Sequence, residues 1–352
     1  MDFENQEVLE HFILEDKHLI EQYKDESELP KKVRIEASTL CQLNCVMCHM
    51  KREPEEVKKG CGFGTLKLDD LKNFIENNDI ERVELSNNGE LFTNPDIIPI
   101  LKYLHEKNVT ICVQNGTNLN TLTDETARAI VESQVKYLVI SIDGASQETY
   151  SIYRRSGDFN KVLNNIRKIN YYKKIFHSEY PILTYKFIVF GHNEHEIEKA
   201  KQIAKDLKME IAFSKNGYPS YSPVQNPEKV ISETGLDDID ISPSHRLDEY
   251  NNHLSNWFFC SMLWNDPQIN YDGRILGCCY LYNDDFAGNV FKDGYLKAMN
   301  NPKILYAKAM LTNNAKPAKD IPCTHCWVYK DLVKNNNFMK SPKLYPEYNI
   351  SI

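Results

Sequence analysis

Short apolar runs alternate with longer amphipathic stretches over the first two thirds of the chain. The apolar runs, at 33–38, 82–86, 110–113, 137–142, 183–190 and 210–214, are short enough to be strands. Stretches with the spacing of helices lie between most of them, at 69–77, 97–106, 124–133, 159–172 and 194–207. A strand followed by a helix, repeated about six times, predicts the α/β class, with a parallel sheet and helices outside it.

The same pattern divides the chain into segments of different character. An acidic N-terminal stretch precedes the first strand, and a segment rich in Tyr, Ser, Pro and Asp interrupts the rhythm after the sixth. Five cysteines then fall within a short stretch, which predicts a separate small module. The predicted segments are a helical extension (1–32), a barrel (33–214), an irregular connector (215–259), the cysteine module (260–330) and a polar tail (331–352).

Composition narrows the function classes. The 352 residues are 41% hydrophobic and 26% charged, as in an ordinary globular protein. The net charge of −8, without a basic block, argues against a dedicated nucleic-acid binder, because phosphate contacts need clustered Lys and Arg. No apolar run is long enough for a membrane span, and the acidic start is unlike a signal peptide. We therefore expect a cytoplasmic protein that does not act at a membrane.

The ten cysteines need an explanation in a reducing compartment, where disulfides are rare. Seven of them form three tight groups, at 41/45/48, 278/279 and 323/326. Clustered cysteines in such a chain indicate metal. Cys61 and Cys112 lie outside the groups, and we expect them to be unliganded.

The first group follows the first predicted strand directly. Three thiolates on one loop, Cys41, Cys45 and Cys48, can hold three irons of a [4Fe–4S] cluster and leave the fourth iron open to a cofactor. A zinc site that uses these cysteines with the neighbouring His49 is the alternative.

This CxxxCxxC spacing after the first strand of a βα-repeat chain resembles the signature of the radical S-adenosylmethionine (radical SAM) superfamily. The resemblance implies a partial (β/α)6 barrel whose open iron binds S-adenosylmethionine. It also implies reductive cleavage of that cofactor to a 5′-deoxyadenosyl radical, which abstracts a hydrogen atom from the substrate. An electron donor such as flavodoxin or ferredoxin would then be a partner.

Further motifs resemble those of the family and occur in its order. Asn88-Gly89-Glu90 resembles the GGE motif, with Asn88 in place of its first glycine. Gln114-Asn115-Gly116 follows the third strand, and Ser141-Ile142-Asp143-Gly144 ends the fourth, before Arg154 and Gly157. Simple alternatives are an ordinary turn at Asn115-Gly116 and a surface role for either Arg154 or Arg155. The resemblance implies that the cofactor is bound by Asn88, Gly89, Glu90, Asn115, Ser141, Asp143 and Arg154.

The second set of cysteines resembles the auxiliary-cluster modules called SPASM and twitch. The match rests on four cysteines, on Gly273 and on Gly288-Asn289. The four thiolates would complete a second [4Fe–4S] cluster without an open iron. Because no cysteine follows Cys326, the sequence supports one auxiliary cluster, and a four-cysteine zinc site is the alternative. The ligands implied are Cys260, Cys278, Cys323 and Cys326.

Cys279 is left over beside Cys278. It either packs as a small apolar side chain or donates a hydrogen atom to a substrate radical, as free thiols do in epimerases of the family. In the connector, Tyr218, Tyr221, Tyr250 and Trp257 either cover the active site or belong to an ordinary surface segment.

Two reactions fit the resemblance. The first is oxidation, in which the substrate radical loses a proton and passes an electron to the auxiliary cluster. The second is epimerisation with Cys279 as hydrogen donor. Only about 32 residues precede the first strand, too few for the leader-binding domain of many peptide-modifying relatives. This favours dehydrogenation of a small polar substrate such as a sugar or cyclitol derivative. A peptide-modifying enzyme is the alternative, a zinc-stapled binding protein a remote one, and no residue is singled out as general base.

Overall fold

A computed structural model describes residues 21–24, 29–218, 220–236 and 255–339, with side chains left out at 255–259. Most of the predicted N-terminal extension, part of the connector and the end of the tail lie outside the described residues. Tyr250 and the Trp257 side chain are among the parts left out. No helix among the described residues is both long and apolar enough to cross a bilayer.

Six parallel strands form the body of the sheet, which confirms the predicted α/β fold. Neighbours in the chain are neighbours in the sheet, as short right-handed crossovers require. The strands are β1 (Lys32–Ile35), β2 (Arg82–Glu84), β3 (Thr110–Thr117), β4 (Tyr137–Ser141), β5 (Ile182–Val189) and β6 (Glu210–Lys215).

The third strand is longer than the sequence predicts. Its pairing with β4 shifts register between Val113 and Thr117, so the stretch expected to leave the strand forms a bulge within it. Gly116 lies in the bulge with φ +115°, and a Cβ there would be 2.4 Å from Ser141 Oγ. The bulge lets the polar residues of this stretch turn towards the carboxyl ends of the strands.

Helices cover the outer face of the sheet, because each has an apolar stripe that must be buried. The helices between the strands are α1 (His49–Arg52), α2 (Pro54–Lys59), α3 (Leu68–Glu76), α4 (Ile97–Glu106), α5 (Asp124–Glu132), α6 (Gln147–Tyr153), α7 (Phe159–Ile175) and α8 (Ile197–Asp206). Short 3₁₀ turns occur at Leu91–Thr93 and Glu194–Glu196.

The alternation of β5 separates the core from the barrel interior. Tyr185 and Phe187 are fully buried in the main core beneath the helices. Ile188 points the other way and packs against the loop that carries Cys41, Cys45 and Cys48. With the period of two of a strand, Lys186 shares the inner face with Ile188.

The connector is less irregular than predicted. It contains helix α9 (Pro227–Thr234), which has Pro227 at its first turn and ends at Gly235 in the left-handed conformation. Only Val230 of this helix is buried, so the sequence carries little helical periodicity there. Cys260 lies within the following helix, α10 (Ser255–Asn265).

The cysteine module extends the barrel sheet. Its hairpin consists of β7 (Gln268–Ile269), parallel to β1, and β8 (Ile275–Gly277), antiparallel to β7. Gly273 turns the hairpin with φ +88°, and a Cβ there would meet Asn289 Oδ1 at 2.5 Å. The remaining helices are α11 (Tyr295–Met299), α12 (Pro302–Leu311), α13 (Pro322–His325) and α14 (Trp327–Lys334).

A buried ion pair joins the module to the barrel. Arg34, on β1, is 1% exposed, and its Nε donates to Asp266 Oδ2 at 2.9 Å. The Arg34 backbone N–H also donates to Pro267 O at 3.0 Å. The end of α10 is therefore held to the first barrel strand by both a charge and a backbone hydrogen bond.

We expect Asp266→Ala to lower the free energy of unfolding by about 3 kcal/mol, because it leaves the Arg34 guanidinium buried without its countercharge. Urea denaturation measures the change. Asp79→Ala is the control, since Asp79 pairs with Lys31 at the surface and its side chain is 78% exposed. Equal effects of the two substitutions would contradict this account of the junction.

Candidate functional site

The loop between β1 and α1 is held by main-chain hydrogen bonds to the end of α6. Asn44 N donates to Arg155 O at 3.0 Å and Val46 N to Tyr153 O at 3.3 Å. Leu43 is buried against Tyr153 and Phe190. These contacts fix the conformation of the loop that carries the three cysteines.

Polar donors reach two of the three thiols. Asn118 Nδ2 lies 3.7 Å from Cys41 Sγ, and Arg154 Nη1 lies 3.6 Å from Cys45 Sγ. Burial raises the pKa of Cys41 to about 12, and it also raises the pKa of Cys48. Buried thiolates need nearby positive charge, and an iron cluster supplies it. The residues present therefore fit the [4Fe–4S] cluster that the sequence predicts here.

Arg154, rather than Arg155, points inward. Its Nε donates to Asp143 Oδ2 at 2.6 Å, and its Nη2 makes a second ion pair with the same oxygen. The other Asp143 oxygen accepts from Ile188 N at 2.7 Å. Asp143 is fully buried with φ +54°, whereas Arg155 is exposed. The carboxylate thus orients the guanidinium towards Cys45.

The Asn88-Gly89-Glu90 turn packs directly on the segment after β1. A Cβ at Gly89 would lie 2.1 Å from Ser38 O, so only glycine fits. Asn88 Oδ1 contacts His49 Nε2 at 3.1 Å, while its buried Nδ2 has no hydrogen-bond partner among the described residues. An unpaired buried donor at this place fits a bound group with an acceptor.

Glu90 is buried and already engaged. Its Oε2 accepts from Asn118 N at 2.6 Å, and Thr117 Oγ1 donates to its Oε1. Burial raises the pKa of this carboxyl group. Glu90 therefore ties the end of β3 to the turn after β2 and helps to position Asn118 beside Cys41.

Asn115 and Ser141 lie on adjacent strand ends. Asn115 Nδ2 donates to Ser86 O at 3.0 Å and to Asn87 Oδ1 at 2.7 Å, which is more than an isolated turn requires. Ser141 lies against Gly116 of the neighbouring strand. All seven residues expected to bind the cofactor are thus gathered around the carboxyl ends of β1 to β5.

Sequence reasoning missed several residues of this region. Asn118 accepts from Gln42 Nε2 at 2.6 Å, and Glu36 Oε2 accepts from Asn88 N at 2.9 Å. Glu194 accepts from Gln225 N at 2.7 Å and so holds the connector to the end of β5. One feature of the sequence could have indicated such residues, namely a polar residue inside or just after an apolar strand. Glu36 and Lys186 are both examples.

The four module cysteines come together from separate elements. Cys260 on α10, Cys278 after β8, Cys323 on α13 and Cys326 before α14 line one apolar cavity. Burial raises the pKa of the first three thiols well above the ordinary value. Among the described residues no three Cys, His, Asp or Glu side chains converge closely enough for a single metal ion. Four thiols that surround one cavity without converging on a point fit a cluster better than a zinc ion.

Cys279 faces a different space from Cys278. It lines an open cleft of about 690 Å³ between the first cysteine loop and the module. Its carbonyl accepts from Asn87 Nδ2 at 3.3 Å, and burial raises the pKa of its thiol to about 11. The adjacent cysteines are thus divided between the apolar cavity and the cleft.

Aromatic side chains line much of the cleft. Tyr282 stacks on His49 with ring centres 4.1 Å apart, and its hydroxyl donates to Glu53. Tyr280 meets Trp327 edge-to-face at 5.8 Å. Of the connector aromatics, Tyr218 lines the cleft, whereas Tyr221 packs near the first cysteine loop.

Two known families match this chain. The radical SAM superfamily matches residues 35–206, and the SPASM iron–sulfur cluster-binding domain matches residues 260–327. The antilisterial bacteriocin subtilosin biosynthesis protein AlbA of Bacillus subtilis is 23% identical over 304 residues, which are 80% of this chain and 62% of AlbA. A GTP 3′,8-cyclase of Limosilactobacillus fermentum is 24% identical over 335 residues, which are 85% of this chain and 95% of the cyclase.

Among solved structures, Streptococcus suis SuiB bound to S-adenosylmethionine superposes with a TM-score of 0.58 at 15% identity. The superposition covers 100% of this chain and 84% of SuiB. SuiB bound to its precursor peptide SuiA superposes with a TM-score of 0.55 at 12% identity, over 100% of this chain and 82% of SuiB. At these identities the likeness concerns the fold.

We expect anaerobically reconstituted protein to hold about eight iron atoms per chain, at four per cluster. Replacement of Cys41, Cys45 and Cys48 by Ala should leave about four, because the second site is built from other elements. Iron, zinc and acid-labile sulfide are measured together. Cys112→Ala is the control and should leave the iron content unchanged, since Cys112 lies buried in β3. Zinc in place of iron at either site would contradict the assignment.

The buried carboxyl group of Glu36 should make the free energy of unfolding depend on pH. Burial raises its pKa to about 7, so the folded protein retains a proton that the unfolded chain loses near pH 4.5. Its stabilising contribution is present below pH 4.5 and is lost as the pH rises through 7. At pH 8 we therefore expect Glu36→Gln to raise the free energy of unfolding by about 3 kcal/mol relative to the unsubstituted protein. At pH 4.5 we expect little difference between the two proteins.

Urea denaturation at the two pH values measures the effect of Glu36→Gln. The exposed Glu106→Gln on α4 is the control and should not show this pH dependence. The same difference at both pH values would show that Glu36 is not held protonated by its surroundings.

Proposed function

Since this chain belongs to the radical SAM superfamily and carries a C-terminal SPASM iron–sulfur module, we propose that it oxidatively modifies a peptide. Its cofactors are a [4Fe–4S] cluster, S-adenosylmethionine and the auxiliary iron–sulfur chemistry of the SPASM module. When bound, S-adenosylmethionine and its cluster supply the 5′-deoxyadenosyl radical. The remaining steps depend on how this chain holds and shields its substrate.

The open, aromatic-lined form of the cleft is the observation that carries the peptide proposal. The cleft beside Cys279 has a volume of about 690 Å³ and opens to solvent between the two cysteine sites. Pockets for small molecules usually bury most of their ligand. An open cleft instead lets a chain enter and leave at its ends, as an extended peptide segment requires.

The walls of the cleft also suit a peptide. Tyr280 and Trp327 pack edge-to-face and still leave 36% and 37% of their surface exposed to the cleft side of the module. Aromatic rings supply apolar contact area at low cost in conformational entropy and are frequent in binding surfaces. Arg52 and Glu53, at the same edge, add one charge of each sign for polar contacts.

Two of the named relatives support the same substrate class. AlbA takes part in the biosynthesis of a bacteriocin, and SuiB has been solved with a precursor peptide. The chain spans only 62% of AlbA, so a peptide substrate is not taken over from AlbA and is part of the proposal. The sequence alone favours a small polar substrate; the cleft and these relatives favour a peptide.

In this proposal the residues of the two sites have distinct roles. Cys41, Cys45 and Cys48 hold the cluster that binds S-adenosylmethionine, and the four module cysteines hold the auxiliary cluster. Arg154, neutralised by Asp143, places a guanidinium beside Cys45, where it would help to bind the cofactor. Gly89 and Gly116 allow close approach of neighbouring backbone or side chains. Asn88, Glu90, Asn115 and Ser141 complete the cofactor site at the strand ends.

Two features of the proposal concern the cell rather than the site. The enzyme needs a low-potential electron donor such as flavodoxin or ferredoxin, because cleavage of S-adenosylmethionine is reductive. A cytoplasmic location fits this need, since free cysteines and iron–sulfur clusters persist in a reducing compartment.

The test compares substrate classes directly. Reconstituted enzyme receives S-adenosylmethionine, dithionite and either a pool of synthetic peptides or a panel of sugars and aminocyclitols. We expect peptides to stimulate 5′-deoxyadenosine formation and to lose two hydrogens, as measured by mass spectrometry. Trp327→Ala should weaken the response to peptides several-fold, because it removes the exposed aromatic wall.

Tyr171→Ala is the matched control, since Tyr171 is 58% exposed on α7, outside the residues that line the cleft. It should leave the peptide response unchanged. Stimulation by sugars or aminocyclitols alone would overturn the peptide assignment and restore the small polar substrate.

Epimerisation is the second candidate, and the position of Cys279 at the cleft favours it. In deuterium oxide, an epimerase would return solvent deuterium to the substrate carbon through this thiol, without net oxidation. Cys279→Ala would then abolish product. An oxidising enzyme would keep forming product lighter by two hydrogens in the same variant.

A further inference from the structure

Lys186 occupies an unusual place for a charged side chain. It lies in the middle of β5, where its register partners are Ser141 on β4 and Ala212 on β6. Ile188, two residues later on the same inner face, packs against the first cysteine loop. Two residues of a strand span about 7 Å, so Lys186 lies one step deeper in the barrel than that loop.

The amine of Lys186 has no committed partner. It makes no hydrogen bond and no ion pair with any described residue. Its nitrogen is not among the fully enclosed, unpaired polar atoms, so it keeps some contact with accessible space. Its register partner on β6 is the small residue Ala212.

The nearest carboxylate is already used. Both oxygens of Asp143 are occupied, one by Arg154 and the other by Ile188 N. Ion pairing with Arg154 neutralises Asp143, and among the described residues no second carboxylate acts on Lys186. A protonated amine here has no countercharge of its own.

Three charged or titratable groups act on Lys186 from the surrounding elements. They are Asp143 after β4, Arg154 after α6 and Cys279 in the module. Burial is the largest influence and lowers the pKa of Lys186, Arg154 lowers it further, and Asp143 and Cys279 oppose the change. The balance favours the neutral amine more than at a surface lysine.

We propose that Lys186 is the proton acceptor for the substrate when its radical is oxidised. This inference rests on the proposed oxidation of a substrate in the barrel. Asp143 and Arg154, among the predicted cofactor residues, and Cys279 at the cleft are all close enough to act on its charge. In this proposal a substrate that reaches the radical from the cleft contacts the amine.

The step balances as follows. A substrate C–H hydrogen leaves as an atom to the 5′-deoxyadenosyl radical. A neighbouring O–H, N–H or S–H group of the substrate then gives its proton to the neutral amine of Lys186. One electron leaves for a one-electron acceptor of the iron–sulfur class, and a new bond forms between the carbon and the heteroatom. The ammonium later returns its proton to water.

The first experiment needs no substrate and measures the amine directly. Reconstituted enzyme is labelled competitively with acetic anhydride over a range of pH, and each lysine is quantified by mass spectrometry. We expect Lys186 to reach half-maximal reactivity at a lower pH than Lys102, an exposed lysine on α4. Equal midpoints would overturn the proposal, whatever the substrate proves to be.

The second experiment uses the synthetic peptides of the substrate test. Lys186→Met and Lys186→Arg should both lower product formation about 100-fold, the usual scale of a lost general base. Formation of 5′-deoxyadenosine should continue, uncoupled from product. Arginine keeps the charge but does not accept the proton, so near-normal product with Lys186→Arg would mean a binding role and overturn the proposal.

Controls keep the outcomes distinct. Iron content and the absorbance of the clusters must be unchanged in both variants, and Lys102→Met should behave as the unsubstituted enzyme. If the unsubstituted enzyme forms no peptide product, the proposed substrate class has failed. The labelling result still decides the proposal for Lys186 in that case, because it does not depend on the peptide.

Discussion

Both edges of β1 are hydrogen bonded, and the rest of the functional region depends on this. One edge pairs with β2 and the other with β7 of the cysteine module. The chain leaves β1 directly into the loop of Cys41, Cys45 and Cys48, while β7 and β8 lead to Cys278. A single strand therefore places the two cysteine sites relative to each other, and the cleft is the space left between them.

Several buried charges among the described barrel residues follow one rule, and Lys186 departs from it. A buried charge is costly unless it is paired and hydrogen bonded. Arg34 is paired with Asp266, and Arg154 with Asp143. Glu90 accepts hydrogen bonds from Thr117 and Asn118. Lys186 is an inward-facing charge that this pairing leaves out, and the same low polarity that makes an unpaired ammonium costly makes a neutral amine available.

The adjacent cysteines of the module illustrate how backbone geometry separates two chemistries. Cys278 follows β8, where Gly277 has φ +85°, and it joins the apolar cavity with three other thiols. The next residue, Cys279, lines the cleft instead. A ligand for a cluster and a residue of the cleft therefore follow each other in the chain without sharing a site.

The local pattern of the sequence determined the kinds of elements and the family. Alternating apolar runs and helical stretches predict the parallel sheet, because periodicity is a local property, and the two cysteine spacings indicate metal, because metal ligands on one loop must be close in sequence. Tertiary structure alone decided the features that depend on contacts between distant segments. These include the inward turn of Arg154, the bulge at Gly116, the pairing of β7 with β1, the cleft and the unpaired amine of Lys186. Such contacts join residues far apart in the chain, and a single sequence carries no periodic signal for them.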